Sequence, residues 1–259
     1  MRILHVSDIH FGGEDGAAIA AVTHFVSTER PDLIVASGDL SAAGLQTELN
    51  DAAQWLSSLG PPVIATPGNH DVPYFEVFPR LYRPFRRYDR AMDGKALAEW
   101  RGEDVRIITI NTARGWQLRP NWALGAISED QINDAVRALE ETPKDILKII
   151  VTHHPMLFPE DSPIPGQTHG GKRAARKLID AGAQIFLAGH LHVTQETRVR
   201  GPHGAALALS AGTLSVRLRG EPNGFLVIER VDTNTVNVER YCIGDGQATK
   251  KSADTISLD

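Results

Sequence analysis

The chain reads as an α/β fold with antiparallel hairpins added toward its C-terminal end. Three observations predict this. Short apolar runs recur and end in loops rich in Asp, His, Asn or Gly. Helical patterns separate those runs. After His192 the helical patterns stop and strand-like segments follow one another. Alternating strands and helices are the mark of a largely parallel sheet covered by helices.

The elements follow in order. Ile3–Val6 is a first buried strand, and Ala17–Thr28 a helix. Leu33–Ala36 and Val63–Ala65 are further strands, with the helical pattern Leu45–Leu59 between them. Residues 72–100 mix aromatic residues with Arg80, Arg83, Arg86, Arg87 and Arg90. They read as an amphipathic helix with a solvated arginine face, or as a helical cap that steers anions; Pro84 starts or breaks a helix there. Val105–Ile110, Ile146–Val151 and Gln184–Ala188 are strands, alternating with helices at Glu129–Leu139 and Lys172–Ala181. Ser128 followed by Gln131 is a capping box for the first of those two helices. Glu196–Arg200 with Ala206–Ser210, and Phe225–Glu229 with Thr235–Tyr241, form two hairpins. Residues 246–259 read as a mobile polar tail. No linker or repeat interrupts 1–259, so one domain is expected.

At 42% hydrophobic and 23% charged, the 259 residues suit a globular protein. A net charge of -5 argues against a nucleic-acid polymer as partner. No apolar run is long enough to insert in a membrane, and no leader is evident. The single cysteine, Cys242, fits a reducing compartment, so the cytoplasm is expected. Homo-oligomerisation is left open.

Five segments at strand ends carry the chemistry: Asp8-Ile9-His10, Gly38-Asp39, Gly68-Asn69-His70-Asp71, His153-His154-Pro155 and Gly189-His190-Leu191-His192. Ligands of α/β sheets gather beyond the carboxyl ends of the strands. Imidazoles and carboxylates without thiolates suit zinc, iron or manganese ions. Residues two apart, such as Asp8 and His10 or His190 and His192, would share a face of a strict strand. Seven donors are too many for one tetrahedral ion and suit two ions sharing a carboxylate.

These five motifs, in this order, resemble the calcineurin-like metallophosphoesterases over Asp8 to His192. The resemblance implies a two-sheet sandwich flanked by helices. It implies that Asp8, His10 and His192 hold one metal, that Asn69, His153 and His190 hold the other, and that Asp39 bridges both. It assigns His70 to the substrate phosphate, as a transition-state stabiliser or proton donor. The implied reaction is hydrolysis of a small-molecule phosphate ester by a hydroxide bridging two manganese, iron or zinc ions.

Departures narrow the subgroup. Leu-Ser-Ala-Ala-Gly after Asp39 lacks the Asp-Arg-Gly of the protein serine/threonine phosphatases. His70 stands where the lipid A pathway pyrophosphatases have arginine. The remaining resemblance is to bacterial phosphodiesterases of cyclic nucleotides or glycerophosphodiesters. Alternatives are a phosphomonoesterase of the same fold, a hydrolase of another bond, and a non-catalytic metal-binding scaffold. Among other histidines, His5, His24 and His203 read as structural, while His154 and His169 are candidates for substrate contact. Asp71 either orients His70 or caps a turn. Trp116 and Trp122 are candidate pocket walls or packing residues.

Overall fold

The computed structural model describes residues 1–118, 121, 123–158, 162–164, 166–201 and 204–258. Trp122 and His203 lie outside the described residues. The first half of the chain runs β1 (Arg2–Val6), α1 (Gly16–Glu29), β2 (Leu33–Ala36), α2 (Gln46–Ser58) and β3 (Val63–Ala65). Next come α3 (Val77–Tyr82), α4 (Arg86–Met92), β4 (Glu99–Arg101), β5 (Val105–Thr109), α5 (Glu129–Glu140), β6 (Leu147–Val151), α6 (Gly171–Asp180) and β7 (Ile185–Ala188). The chain closes with β8 (Gln195–Gly201), β9 (Gly204–Ser210), β10 (Gly224–Arg230), β11 (Thr235–Gly244) and β12 (Gln247–Ser257). Local chemistry sets the helix starts. The Asp15 carboxylate accepts from the Ala17 and Ala18 N–H groups at the head of α1. At α5 the Ser128 hydroxyl accepts from the Gln131 N–H, and the Gln131 side chain accepts from the Ser128 N–H.

The strands form two six-stranded sheets, ordered β12-β11-β10-β1-β2-β3 and β4-β5-β6-β7-β9-β8. Strands β1 to β3 are mutually parallel, as are β5, β6, β7 and β9; the hairpin strands pair antiparallel at the flanks. Ile3, Leu33, Val35 and Ile64 of the first sheet pack with Ile107, Ile149, Leu187 and Leu209 of the second, making an inter-sheet core. The alternate residues Leu4, Val6, Ile34 and Ala36 pack outward on α1, α2 and α4. Ile108, Ile150 and Phe186 do the same with α5 and α6. Both faces of the central strands are covered, which is why their sequences are continuously apolar. The result is helices, sheet, sheet, helices: the two-sheet sandwich the resemblance implied.

Two expectations change. Residues from Gly246 do not trail off as a polar tail. Asp245 and Gly246 both take left-handed φ, 49° and 71°, as a tight hairpin turn requires. Strand β12 then pairs with β11 along its whole length. Its polarity misled because it is an edge strand, where only Ile256 is fully buried. Within 72–100 there are two short helices, broken at Arg83-Pro84-Phe85, rather than one amphipathic helix. Their arginines diverge: Arg80 is buried and bonds the Gly115 carbonyl, Arg87 bonds Glu76 and the Gly44 carbonyl, and Arg83, Arg86 and Arg90 are exposed. No helix among the described residues is long and apolar enough to cross a membrane.

Phe225 is fully buried, stacked on Tyr241 at 4.9 Å and edge-on to Phe25 at 4.8 Å. Phe225→Ala is expected to lower unfolding stability by about 3–5 kcal/mol, read from urea denaturation.

Candidate metal centre

Both sheets deliver side chains to one place. Asp8 and His10 follow β1, Asp39 follows β2, and Asn69 and His70 follow β3. From the second sheet, His153 follows β6, and His190 and His192 follow β7. Strand alternation is not what unites the paired residues, because β1 ends at Val6 and β7 at Ala188. Instead Asp8, His10, Asp39, His190 and His192 all have left-handed φ, between 51° and 69°. They are five of the seven non-glycine residues with positive φ among those described. Asp and His tolerate this region better than most residues, and strain of this kind gathers at functional sites. Close packing adds a second constraint. A Cβ on Gly68 would lie 2.1 Å from Asp39 Oδ1, and one on Gly189 would lie 1.7 Å from Ser7 Oγ.

The carboxylates share one plan. Asp8 Oδ2 accepts from the His190 N–H at 2.8 Å, and Asp39 Oδ1 accepts from the His70 N–H at 2.7 Å. The other oxygens face imidazoles. Asp8 Oδ1 is 3.2 Å from His192 Nε2 and 3.9 Å from His10 Nε2. Asp39 Oδ2 is 3.3 Å from His153 Nε2 and 3.8 Å from His10 Nε2. Asn69 Oδ1 is 3.2 Å from His153 Nε2.

The imidazoles are turned by main-chain carbonyls. His153 Nδ1 is 2.9 Å from the Ser37 carbonyl, His192 Nδ1 is 2.7 Å from that of Arg217, and His70 Nδ1 is 2.7 Å from that of Ala42. A carbonyl only accepts, so each Nδ1 carries a proton and it is Nε2 that each ring turns inward. His10 Nε2 lies 3.3 Å from His192 Nε2, and Asp8 Oδ1 is buried without a hydrogen bond. The buried carboxylates of Asp8 and Asp39 draw positive charge to this spot. Burial pushes His10 down to about 4 and His190 to about 3, so both are neutral donors. Burial also works against the charged form of His153, yet the Asp39 carboxylate raises it to about 9. Asp39 itself, despite burial, is held well below the usual carboxylate range by His153 and His70. Donor atoms of Asp8, His10 and His192, and of Asp8, Asp39 and His153, lie within 4.8 Å of one another. The donor set fits transition-metal ions.

The remaining candidates separate. His154 touches the rings of His153 and His190, but both its nitrogens are engaged, by Thr112 Oγ1 at 2.9 Å and the Ala123 carbonyl at 2.8 Å. It has no lone pair left for a metal or for substrate. The His169 side chain is exposed, and its main chain instead bonds Gly125 and Ile127. His5 is buried against Ser37 Oγ at 2.8 Å, and His24 is exposed. Asp71 joins two ligand loops, accepting from the N–H groups of Leu40, Ser41 and Gly68 and from the Ser41 hydroxyl. Asn69, His70, Tyr74, Val77, Arg80 and Leu81 line an adjoining cavity of about 330 Å³; the half-exposed Trp116 is not in its lining. Tyr74 stacks on His70 at 6.1 Å. Arg217, 3.3 Å from His70 Nε2, and Arg219, bonded to the His190 carbonyl, belong to no motif and were not foreseen. Nothing near them in sequence marks them, since only folding of the β9–β10 loop brings them to the site.

A model of the calcineurin-like phosphoesterases matches residues 1–194, a stretch that includes all five motifs. A probable cyclic nucleotide phosphodiesterase of Synechococcus is 26% identical over 60% of this chain and 58% of its own length. The 3',5'-cyclic adenosine monophosphate phosphodiesterase of Pseudomonas aeruginosa is 28% identical over 77% of this chain and 72% of its own. A glycerophosphodiester phosphodiesterase of Enterobacter lignolyticus is 35% identical over 27% of this chain and 30% of its own. The aligned part thus spans less than two thirds of two of these relatives. The fold is similar to a purple acid phosphatase from yellow lupin (TM-score 0.71, 14% identity, 99% of this chain, 53% of that one). It is also similar to a dimetal phosphatase from Danio rerio (TM-score 0.68, 13% identity, 100% and 99% covered).

Asp71→Asn keeps the size of the side chain but leaves one acceptor oxygen where a carboxylate received four hydrogen bonds. The expected loss is about 2–3 kcal/mol of stability, with a lower manganese stoichiometry from loosened Asp39 and Asn69 loops, read by urea denaturation and elemental analysis.

Proposed function

Because the chain belongs to the calcineurin-like phosphoesterases, we propose that it hydrolyses small-molecule phosphodiesters with two transition-metal ions. The two buried carboxylates, each faced by imidazole nitrogens, carry this reading. In it, Asp8, His10 and His192 hold one ion, and Asn69, His153 and His190 hold the other. Asp39 serves both, consistent with its Oδ2 lying near His10 and His153. Manganese, iron or zinc suits such donors. When bound, the ions supply positive charge for phosphate oxygens and lower the pKa of water.

The chain's own residues do the rest. Carbonyls of Ser37 and Arg217 hold the rings of His153 and His192 in register. In this reading His70, which also lines the cavity, acts on the substrate and not on the ions. With Nδ1–H tied to Ala42, its Nε2, which faces Arg217 at 3.3 Å, is the atom that exchanges a proton with a departing oxygen or braces it. The segment 72–100 acts as a cap: Tyr74, Val77 and Leu81 give one cavity wall an apolar face for the ester group. The names of the relatives favour a diester, a cyclic nucleotide or a glycerophosphodiester, handled in the cytoplasm. A filled ligand set disfavours the scaffold reading.

Manganese-loaded protein should contain two equivalents of metal by elemental analysis. It should also turn over bis(p-nitrophenyl) phosphate with higher kcat/KM than p-nitrophenyl phosphate; a clear excess for the monoester would reverse the diester assignment. Cyclic AMP and glycerophosphodiesters are the substrates to try next. His70→Ala should retain both metals yet lose about 10²–10⁴-fold in kcat, and metal loss in that variant would show that His70 is a ligand instead.

A further inference from the structure

We infer that Arg217 is a phosphate-binding residue of this site, one that grips a non-bridging oxygen of the substrate beside His70; the inference rests on the function proposed above. The loop from Ala211 to Asn223 joins β9 to β10 and is fixed at many points. The Thr213 hydroxyl donates to the Asp8 carbonyl at 2.7 Å, and the Leu214 N–H donates to the same carbonyl at 3.2 Å. The Val216 N–H donates to the Gly13 carbonyl at 3.1 Å, and the Arg217 N–H to Ser215 Oγ at 3.2 Å. The Asn223 side chain donates to the Thr213 and Ser215 carbonyls. Residue 217 is thus held by its main chain to the loops that carry Asp8 and His10.

Its two ends face the same site. The Arg217 carbonyl accepts from His192 Nδ1 at 2.7 Å. The guanidinium reaches back over the centre, to 3.3 Å from His70 Nε2. Among the described residues no carboxylate pairs with it, although ion pairs engage Arg2, Arg87, Arg106, Arg198 and Arg240 elsewhere. The Arg217 side chain is solvent-exposed, so it can move onto an incoming anion without leaving a buried partner. A guanidinium presents paired N–H donors that match phosphate oxygens. Arg217 therefore supplies the cation that the Leu-Ser-Ala-Ala-Gly sequence after Asp39 lacks, from a distant part of the chain. A dianionic phosphate should depend on it more than a monoanionic diester, because the attraction scales with the charge.

The test uses full-length protein loaded with manganese. Titration calorimetry with inorganic phosphate should show about 10- to 100-fold weaker binding for Arg217→Ala, with partial recovery in Arg217→Lys. Metal content should stay equal to the parent's, because the variant keeps the carbonyl that holds His192. The rise in KM should be larger for p-nitrophenyl phosphate than for bis(p-nitrophenyl) phosphate. Parent-like phosphate affinity in Arg217→Ala would overturn the inference. So would an equal loss for both esters, or a fall in metal content that tracks the phosphate affinity, since either marks a residue that only shapes the loop. If the parent hydrolyses no phosphoester, the proposed function fails while the phosphate titration still decides the role of Arg217.

Discussion

The structure depends on two buried carboxylates that face a cluster of imidazole nitrogens. Asp8 and Asp39 each spend one oxygen on a main-chain N–H and aim the other at imidazole nitrogens. Those nitrogens are Nε2 atoms because carbonyls of Ser37 and Arg217 claim the Nδ1 side of the rings of His153 and His192. Burying these charged groups is costly, and left-handed backbone at five of the residues adds conformational cost of ~1 kcal/mol or more each. The three apolar layers that hold the sandwich together offset this. The fold is stable where it is dry and unfavourable where it is built to receive charge.

The site also ties the two sheets together. Ser37, after β2, meets His153, after β6, and Asp8, after β1, meets the main chain of His190, after β7. Each of these bonds crosses from one sheet to the other at the carboxyl ends of the strands. A cation held there would be liganded from both sheets. Metal binding and the packing of the sandwich are then linked, as they are wherever a ligand binds the folded state alone.

Much of this was legible in the sequence for a physical reason. Metal chemistry needs particular side chains, so Asp8, His10, Asp39, Asn69, His153, His190 and His192 stand out from an otherwise apolar or flexible background. Strands buried on both faces announce themselves as unbroken apolar runs. Reading failed where the answer depended on backbone or on distant packing. Residues two apart suggested a strand face, whereas left-handed turns do the work. His154 looked like a companion to His153, yet Thr112 and Ala123 occupy both its nitrogens. Arg217 had no neighbouring motif at all. Strand β12 was hidden because polar residues suit an edge as well as they suit a tail.

That last strand has a consequence for how molecules of this protein meet in solution. A sheet edge exposes unpaired N–H and C=O groups and invites a strand from another molecule. Here β12 carries Lys250, Lys251 and Asp254, all exposed, so an approaching strand would have to desolvate charges. At the opposite edge β3 is only three residues long and is already covered, since Leu97 exchanges hydrogen bonds with Val63 and Ala65. Both margins of the first sheet are thereby guarded against open-ended self-assembly, one by charge and one by a strip of its own chain. The hairpin that extends the sheet with β12 replaces a sticky margin with a soluble one.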